Sequence, residues 1–167
     1  MRRPIVAVIG ASRPSDLELR LAREVGERLG RAGFAVVTGG LGGVMEAASE
    51  GAAAAGALVL GLLPGVDPLA ANPHVTVAIP TGVGDARNAI IANTADGFIA
   101  VGGGLGTLAE IALGLKRGKP VVALKTWKLD ERRLEGVVWL KADSAERAIE
   151  LLVEALAARA SAARADR

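Results

Sequence analysis

The sequence predicts a three-layer α/β fold, a doubly wound and mainly parallel sheet with helices on both faces. Three observations lead there. Short apolar runs rich in valine and isoleucine recur along the chain, and most are too short for helices. Segments of helical periodicity lie between several of them. Glycines cluster immediately after three of the runs.

Taken in order, the first run is Ile5–Ile9 within "MRRPIVAVIG". Its basic start suits a leader peptide, but no convincing small-residue cleavage site follows, and it runs straight into a helix-cap pattern. A first strand is the better reading. In "SDLE", Ser15 and Glu18 have capping-box spacing, and Leu17, Leu21, Val25 and Leu29 then recur every four residues as one face of a helix. Phe34–Val37 reads as the second strand, and Val44 to Ala55 as the second helix. Ala57–Leu63 and Val75–Ile79 are the next strands. Four of the seven prolines fall between Pro64 and Pro80, around Asn72, Pro73 and His74, so that stretch reads as an ordered surface connection. A helix from about Ala86 to Ala95, a strand at Gly97–Val101, a helix from Thr107 to Lys116 and strands at Val121–Leu124 and Val137–Leu140 complete the pattern. The last helix starts at "DSAE", with Ile149, Leu152, Val153 and Leu156 on one face. Residues 1–157 therefore form a single domain, with 158–167 expected as a frayed tail.

Composition narrows the function. The formal charge is only +2, and Arg132 and Arg133 sit among Asp130, Glu131 and Glu135, so no one-sided basic stripe for nucleic acid is expected. The long uncharged stretch Gly51 to Val66 is shorter than a membrane span and contains Pro64. No membrane partner is expected, and a cytoplasmic location is. There is no cysteine, which excludes disulfides and thiolate metal sites. No metal site is predicted.

The glycine clusters carry the chemistry. They are "VIGAS", with Gly10 and Ser12; "TGGLGGVMEA", with Gly39, Gly40, Gly42, Gly43, Met45 and Glu46; and "VGGGLGTLAE", with Gly103, Gly104, Gly106, Thr107 and Glu110. In a doubly wound sheet the carboxyl ends of parallel strands share one edge, where ligands bind. Glycine there lets backbone N–H groups approach an anion, and a following helix N-terminus adds unpaired donors and partial positive charge. A phosphorylated small molecule is the natural ligand.

Other phosphate and hydrolase signatures fail. No G-x-x-x-x-G-K-[ST] is present, because the Gly118–Lys119 pair is followed by proline. No loop gives G-x-G-x-x-G, and the second strand ends in Thr38–Gly39 without an acidic residue for a ribose. No G-x-S-x-G elbow exists, and the sole histidine, His74, lies in the proline-rich connection.

Several side chains are ambiguous. Met45 and Glu46 lie in the first turn of their helix, where they contact the ligand or else fill core space and complement the dipole. Thr107 and Glu110 have the spacing of a capping box, yet a carboxylate one turn into that helix also points into the crevice. There it would bind ribose hydroxyls or stabilise positive charge developing on a sugar ring. Arg87, in "GDARNAII", places positive charge at a helix start, where a salt bridge, a phosphate or a leaving group would explain it.

Together "TGGLGGVMEAASEGA", "ARNAIIANTADGFIAVGGGLGTLAEI" and "GKPVV" resemble the LOG-like proteins, long mislabelled lysine decarboxylases. The resemblance runs from Ile5 to about Leu152. It implies a Rossmann-like fold and a homo-oligomer, dimer or tetramer. It also implies hydrolysis of the N-glycosidic bond of a nucleoside 5′-monophosphate. The family's loop reads P-G-G-x-G-T-x-x-E, preceded by an Arg-Lys pair. By position Glu110 and Arg87 become the catalytic pair, and Gly103, Gly104, Gly106 and Thr107 hold the 5′-phosphate. Val101-Gly102 replaces the usual proline-glycine, and Asn88 replaces the lysine. The combination "GDARN" with "VGGGLGT" resembles instead a subfamily that includes molybdenum cofactor carrier proteins, which hold a phosphate-bearing pterin without chemistry. Neither resemblance implies a required cofactor. The implied ligand is a nucleotide or a phosphorylated pterin.

Overall fold

A computed structural model describes residues 2–165. Seven strands form one sheet: β1 (Ile5–Gly10), β2 (Ala35–Thr38), β3 (Val59–Leu63), β4 (Val77–Pro80), β5 (Gly97–Val101), β6 (Val121–Leu124) and β7 (Trp139–Ala142). Five helices accompany them: α1 (Asp16–Arg31), α2 (Val44–Ala54), α3 (Arg87–Thr94), α4 (Leu105–Lys116) and α5 (Ala145–Ala165). The strand order is β4-β3-β2-β1-β5-β6-β7, and every neighbouring pair is parallel. The expected Rossmann-like α/β sheet is thus wholly parallel.

Residue alternation sorts the helices into layers. Val6 and Val8 face a core shared with Val25 and Leu29 of α1, Ala48 of α2 and Leu152 of α5. Ala7 and Ile9 point the other way, to Ile91 of α3 and to Ile111 and Leu115 of α4. Small residues let α1 and α2 meet closely. A β-carbon on Gly26 would fall on the Ala48 carbonyl, and one on Gly51 would fall on the Arg23 carbonyl. Each glycine costs about 0.5–1 kcal/mol of helix propensity relative to alanine, which the intimate contact offsets. Start signals act as read at α1: the Ser15 N–H donates to Glu18 Oε2 at 2.7 Å, and the Glu18 N–H donates to Ser15 Oγ at 3.3 Å.

Most strand and helix ends move by one or two residues from expectation, and three of the differences matter here. α4 starts at Leu105, two residues before Thr107. β7 falls at Trp139–Ala142, after a turn in which Gly136 has φ 73°. The segment from Ala158 is helical through Ala165 as the continuation of α5, with 166–167 outside the described residues. Periodicity disappears there because that turn stands exposed, while its alanines keep helix propensity high. No described helix is long and apolar enough to cross a membrane.

Candidate functional site

Topology places the site. From β1 the chain winds outward through β2, β3 and β4; from β5 it winds the opposite way through β6 and β7. The switch point lies between the carboxyl ends of β1 and β5, where Gly10 pairs in register with Val101. A crevice of about 290 Å³ opens there. Its β1 side is Ile9, Gly10 and Ser12; α2 contributes Met45; α4 and its approach contribute Gly104, Leu105, Gly106, Thr107 and Glu110. Arg87 and Asn88 close it from α3, and Asp85 from the turn before α3.

Glycine at position 10 is required by close approach. A β-carbon there would meet the Val101 carbonyl oxygen, with the Val44 side chain at 2.7 Å. The first loop then closes on α2, whose Val44 N–H donates to the Ala11 carbonyl at 2.9 Å. The second loop divides its residues. Met45 enters the crevice, whereas Glu46 and Gly43 line a neighbouring groove of about 400 Å³ with Arg23 and Glu50; Ser12 borders both. Gly39 supplies a carbonyl to Arg87, and Gly40 is buried against Leu63 with φ 76°. Gly42 is exposed. Gly39, Gly40, Gly42 and Gly43 therefore shape the strand-to-helix turn without lining the crevice, and Glu46 faces away from it.

The third loop carries the donors. Gly104 caps α4 without any side-chain hydrogen bond, and the first helical bond runs from the Leu108 N–H to the Gly104 carbonyl at 3.1 Å. The N–H groups of Leu105, Gly106 and Thr107 precede it and have no acceptor within the helix. Because Thr107 is the third residue of α4 rather than its cap, Thr107 and Glu110 form no capping box. The Thr107 side chain instead packs beneath Gly103, whose φ is 108°. Glu110 stands one turn further along with its carboxylate in the crevice.

Arg87 and Glu110 share an electrostatic environment without touching through an ion pair among the described residues. Arg87 Nη1 donates to the Gly39 carbonyl and to the Leu62 carbonyl, the latter at 2.5 Å. Its Nε is buried with no partner. Burial lowers the Arg87 pKa below the usual guanidinium value, and attraction to Glu110 and then Asp85 offsets part of that. Burial also pushes the Glu110 carboxyl up to about 7, against the pull of Arg87. Three free helix donors and a guanidinium thus converge on a small space whose carboxyl is partly neutral at pH 7. The arrangement suits an anion.

Sequence reasoning overlooked Asp85 and Leu105 as lining residues, although Asp85 lies two residues before Arg87 in "GDARN". It also passed over Thr126 and Trp127. Thr126 Oγ1 donates to the Gly102 carbonyl, and Trp127 Nε1 donates to the Gly104 carbonyl at 3.1 Å. No local signal marks that pair, which only β5–β6 pairing brings to the glycine loop.

Comparison with known proteins identifies the family and the fold. The model of the SLOG cluster4 family matches residues 3–153. An uncharacterised protein of Archaeoglobus fulgidus is 45% identical over 120 residues, 72% of this chain and 79% of that one. The molybdenum cofactor binding protein from the phototrophic bacterium Rippkaea orientalis superposes with a TM-score of 0.86 at 39% identity, covering 92% of this chain and 98% of that one. The molybdenum cofactor carrier protein from Chlamydomonas reinhardtii gives 0.86 at 37% identity, covering 93% and 99%. With its sheet, its glycine loops and nearly its whole length matched, this chain belongs to the SLOG cluster4 family of the LOG-like superfamily.

Proposed function

We propose that this chain is a carrier that holds the molybdenum cofactor, or a related phosphorylated pterin, in the crevice between β1 and β5 without breaking a bond. The carrying observation is the uncapped start of α4 beside Arg87: free N–H donors and a half-buried cation meet where no carboxylate neutralises them by contact. A phosphate supplies the missing charge. Acceptors on Glu110, Asp85 and Asn88 lie across the crevice, suited to ring N–H donors, while Ile9 and Met45 give it an apolar side. A volume of about 290 Å³ takes a phosphate and one compact ring system, and further substituents would lie along the Ser12 rim. Likeness to proteins named for binding and carrying that cofactor, at 37–39% identity over more than nine-tenths of the chain, supports the same cargo.

Hydrolysis of a nucleoside 5′-monophosphate is the second reading. It is favoured by Glu110, which helix capping does not consume and which faces the same space as Arg87. Against it, Asn88 lines the crevice where a lysine would add positive charge, and a carboxyl titrating near 7 is a weak partner for a developing oxocarbenium ion.

Self-association accompanies either reading. α4 is apolar on its outward side as well, with Leu105, Ala109 and Ala112 exposed, and Ile90 of neighbouring α3 extends that face. A second copy of the chain would cover it.

The test combines two assays on one preparation. Protein purified without oxygen is incubated with released molybdenum cofactor, separated by gel filtration, and its pterin quantified after oxidation to a fluorescent form. The same protein is incubated with a panel of nucleoside 5′-monophosphates, and free base is resolved by chromatography. Retained pterin with no free base is the expected result. Base release that depends on the 5′-phosphate would establish the hydrolase instead.

A further inference from the structure

The glycine loop before α4 is packed at its start, Gly102 against Glu18 and Gly103 against Thr107, and open at its exit. Gly102 and Gly103 have φ of 58° and 108°. At Gly104, the residue that caps α4, an added β-carbon would meet nothing within 4 Å, so packing does not fix that peptide. A loop of this kind samples many orientations unless hydrogen bonds restrain it.

Those restraints come from the segment after β6. Thr126 Oγ1 holds the Gly102 carbonyl and Trp127 Nε1 holds the Gly104 carbonyl, one bond at each end of the flexible stretch. The Gly104 carbonyl also receives the Leu108 N–H, so its direction is fixed twice. None of the described peptide bonds is cis, and in a trans unit the N–H points opposite to the carbonyl. Fixing Gly104 C=O therefore aims the Leu105 N–H, and Leu105 lines the crevice. The backbone at the base of this segment is unusual as well. Lys125 has φ 55°, the only positive value at a non-glycine among the described residues, and that turn carries Thr126 and Trp127 to the loop.

We propose that Thr126 and Trp127 are positioning residues for phosphate capture: by clamping the carbonyls of Gly102 and Gly104 they preorganise the amides that open α4 toward the ligand. The inference rests on the anion-binding reading of the crevice. Preorganised donors bind an anion without first losing conformational freedom, so removing either clamp weakens binding while leaving the fold in place.

Inorganic phosphate is the probe, followed by amide NMR on the full chain. In the wild type, phosphate shifts the amide signals of Leu105, Gly106 and Thr107. Thr126→Val and Trp127→Phe each raise the phosphate Kd about five- to tenfold, as expected when one oriented, charge-assisted bond is disrupted. Trp127→Phe also reduces the Leu105 shift, with the Leu108 bond to the Gly104 carbonyl retained. Thr126→Ser keeps the hydroxyl and binds like the wild type. A wild type without these shifts overturns the anion site itself. A wild type that responds, with Thr126→Val and Trp127→Phe equally responsive, overturns the clamp alone. Should Trp127→Phe fail to fold, the contrast between Thr126→Val and Thr126→Ser decides the question.

Discussion

Arg87 and Glu110 face one crevice from separate helices, and their charges act on each other through space, with no ion pair between them among the described residues. Each has a different anchor. Arg87 is tied to the carbonyl ends of β2 and β3 through Gly39 and Leu62, so it joins two strand termini while presenting charge to the crevice. Glu110 hangs from the second turn of α4, with no hydrogen bond to hold it. The cation is architectural and electrostatic together, and the carboxyl is free to change its charge.

Glu110 makes stability depend on pH. Its pKa in the folded protein, about 7, lies above the unfolded value of 4.5. The folded state therefore binds the proton more tightly, and this contribution is present at low pH and lost as pH rises through 7. Glu110→Gln stays neutral throughout. The variant is expected to match the wild type near pH 4, below the unfolded value, and to exceed it at pH 8, by up to about 3 kcal/mol for a shift of this size. Thermal melts across that range check this, and equal pH profiles would contradict it.

If the crevice binds a phosphate ester as proposed, the same carboxyl sets its pH dependence. Phosphate competes with negative charge on Glu110, so affinity for a phosphate ester is expected to fall between pH 6 and 8 beyond what the ligand's own titration explains. Glu110→Gln removes that extra slope. Isothermal titration at matched ionic strength, with both proteins, separates the ligand's protons from those of the site.

Arg87→Met is expected to cost about 2–4 kcal/mol of stability, since two carbonyls at the strand ends lose their donor and remain buried. Arg87→Lys keeps the charge on a shorter, non-planar head group, so it should recover part of the ligand affinity and less of the stability. Urea unfolding with an unchanged m-value measures the first effect. An unaltered midpoint in Arg87→Met would show that the guanidinium does not hold the strand ends.

Two adjacent glycines should behave oppositely. Gly103 combines φ 108° with the Thr107 side chain where a β-carbon would stand, so Gly103→Ala strains the backbone and displaces a buried threonine. A loss of about 2 kcal/mol or more is expected. Gly104 has φ −102° and open space, so Gly104→Ala should fold with nearly unchanged stability while placing a methyl at the crevice wall. Melting and phosphate titration on both variants distinguish a turn requirement from a ligand requirement.

How much of this was legible follows from the same contrast. Parallel strands buried on both faces must be written as runs such as "IVAVI" and "GFIAV", so the sheet could be read directly. Arg87 and Glu110 stood out because charge beside glycine loops at strand ends has few structural uses. The start of α4 did not, because a glycine cap has no side chain to announce it, and Thr107 with Glu110 imitated a cap one turn too late. Gly40 and Gly43 read like ligand glycines because glycine serves a tight turn and a close ligand equally well. Thr126 and Trp127 lie more than 20 residues from the carbonyls they hold, a relation that exists only once β5 and β6 pair.

Asn88 offers the sharpest test of the choice between carrying and bond cleavage. It lines the site one residue after Arg87, at the position where the hydrolases that the sequence resembles carry lysine. Asn88→Lys introduces an ammonium facing the start of α4, so a phosphate ester is expected to bind about three- to tenfold more tightly at low ionic strength. The gain should shrink as added salt screens the charge. Base release from nucleoside 5′-monophosphates is measured on the same variant. Tighter binding without release means that Asn88 tunes affinity only, and that a lysine beside Arg87 and Glu110 does not suffice for hydrolysis. Release appearing only with the lysine means that the rest of the catalytic geometry is already in place, held in a carrier by one missing charge. Unchanged phosphate affinity would remove Asn88 from the ligand's surroundings altogether.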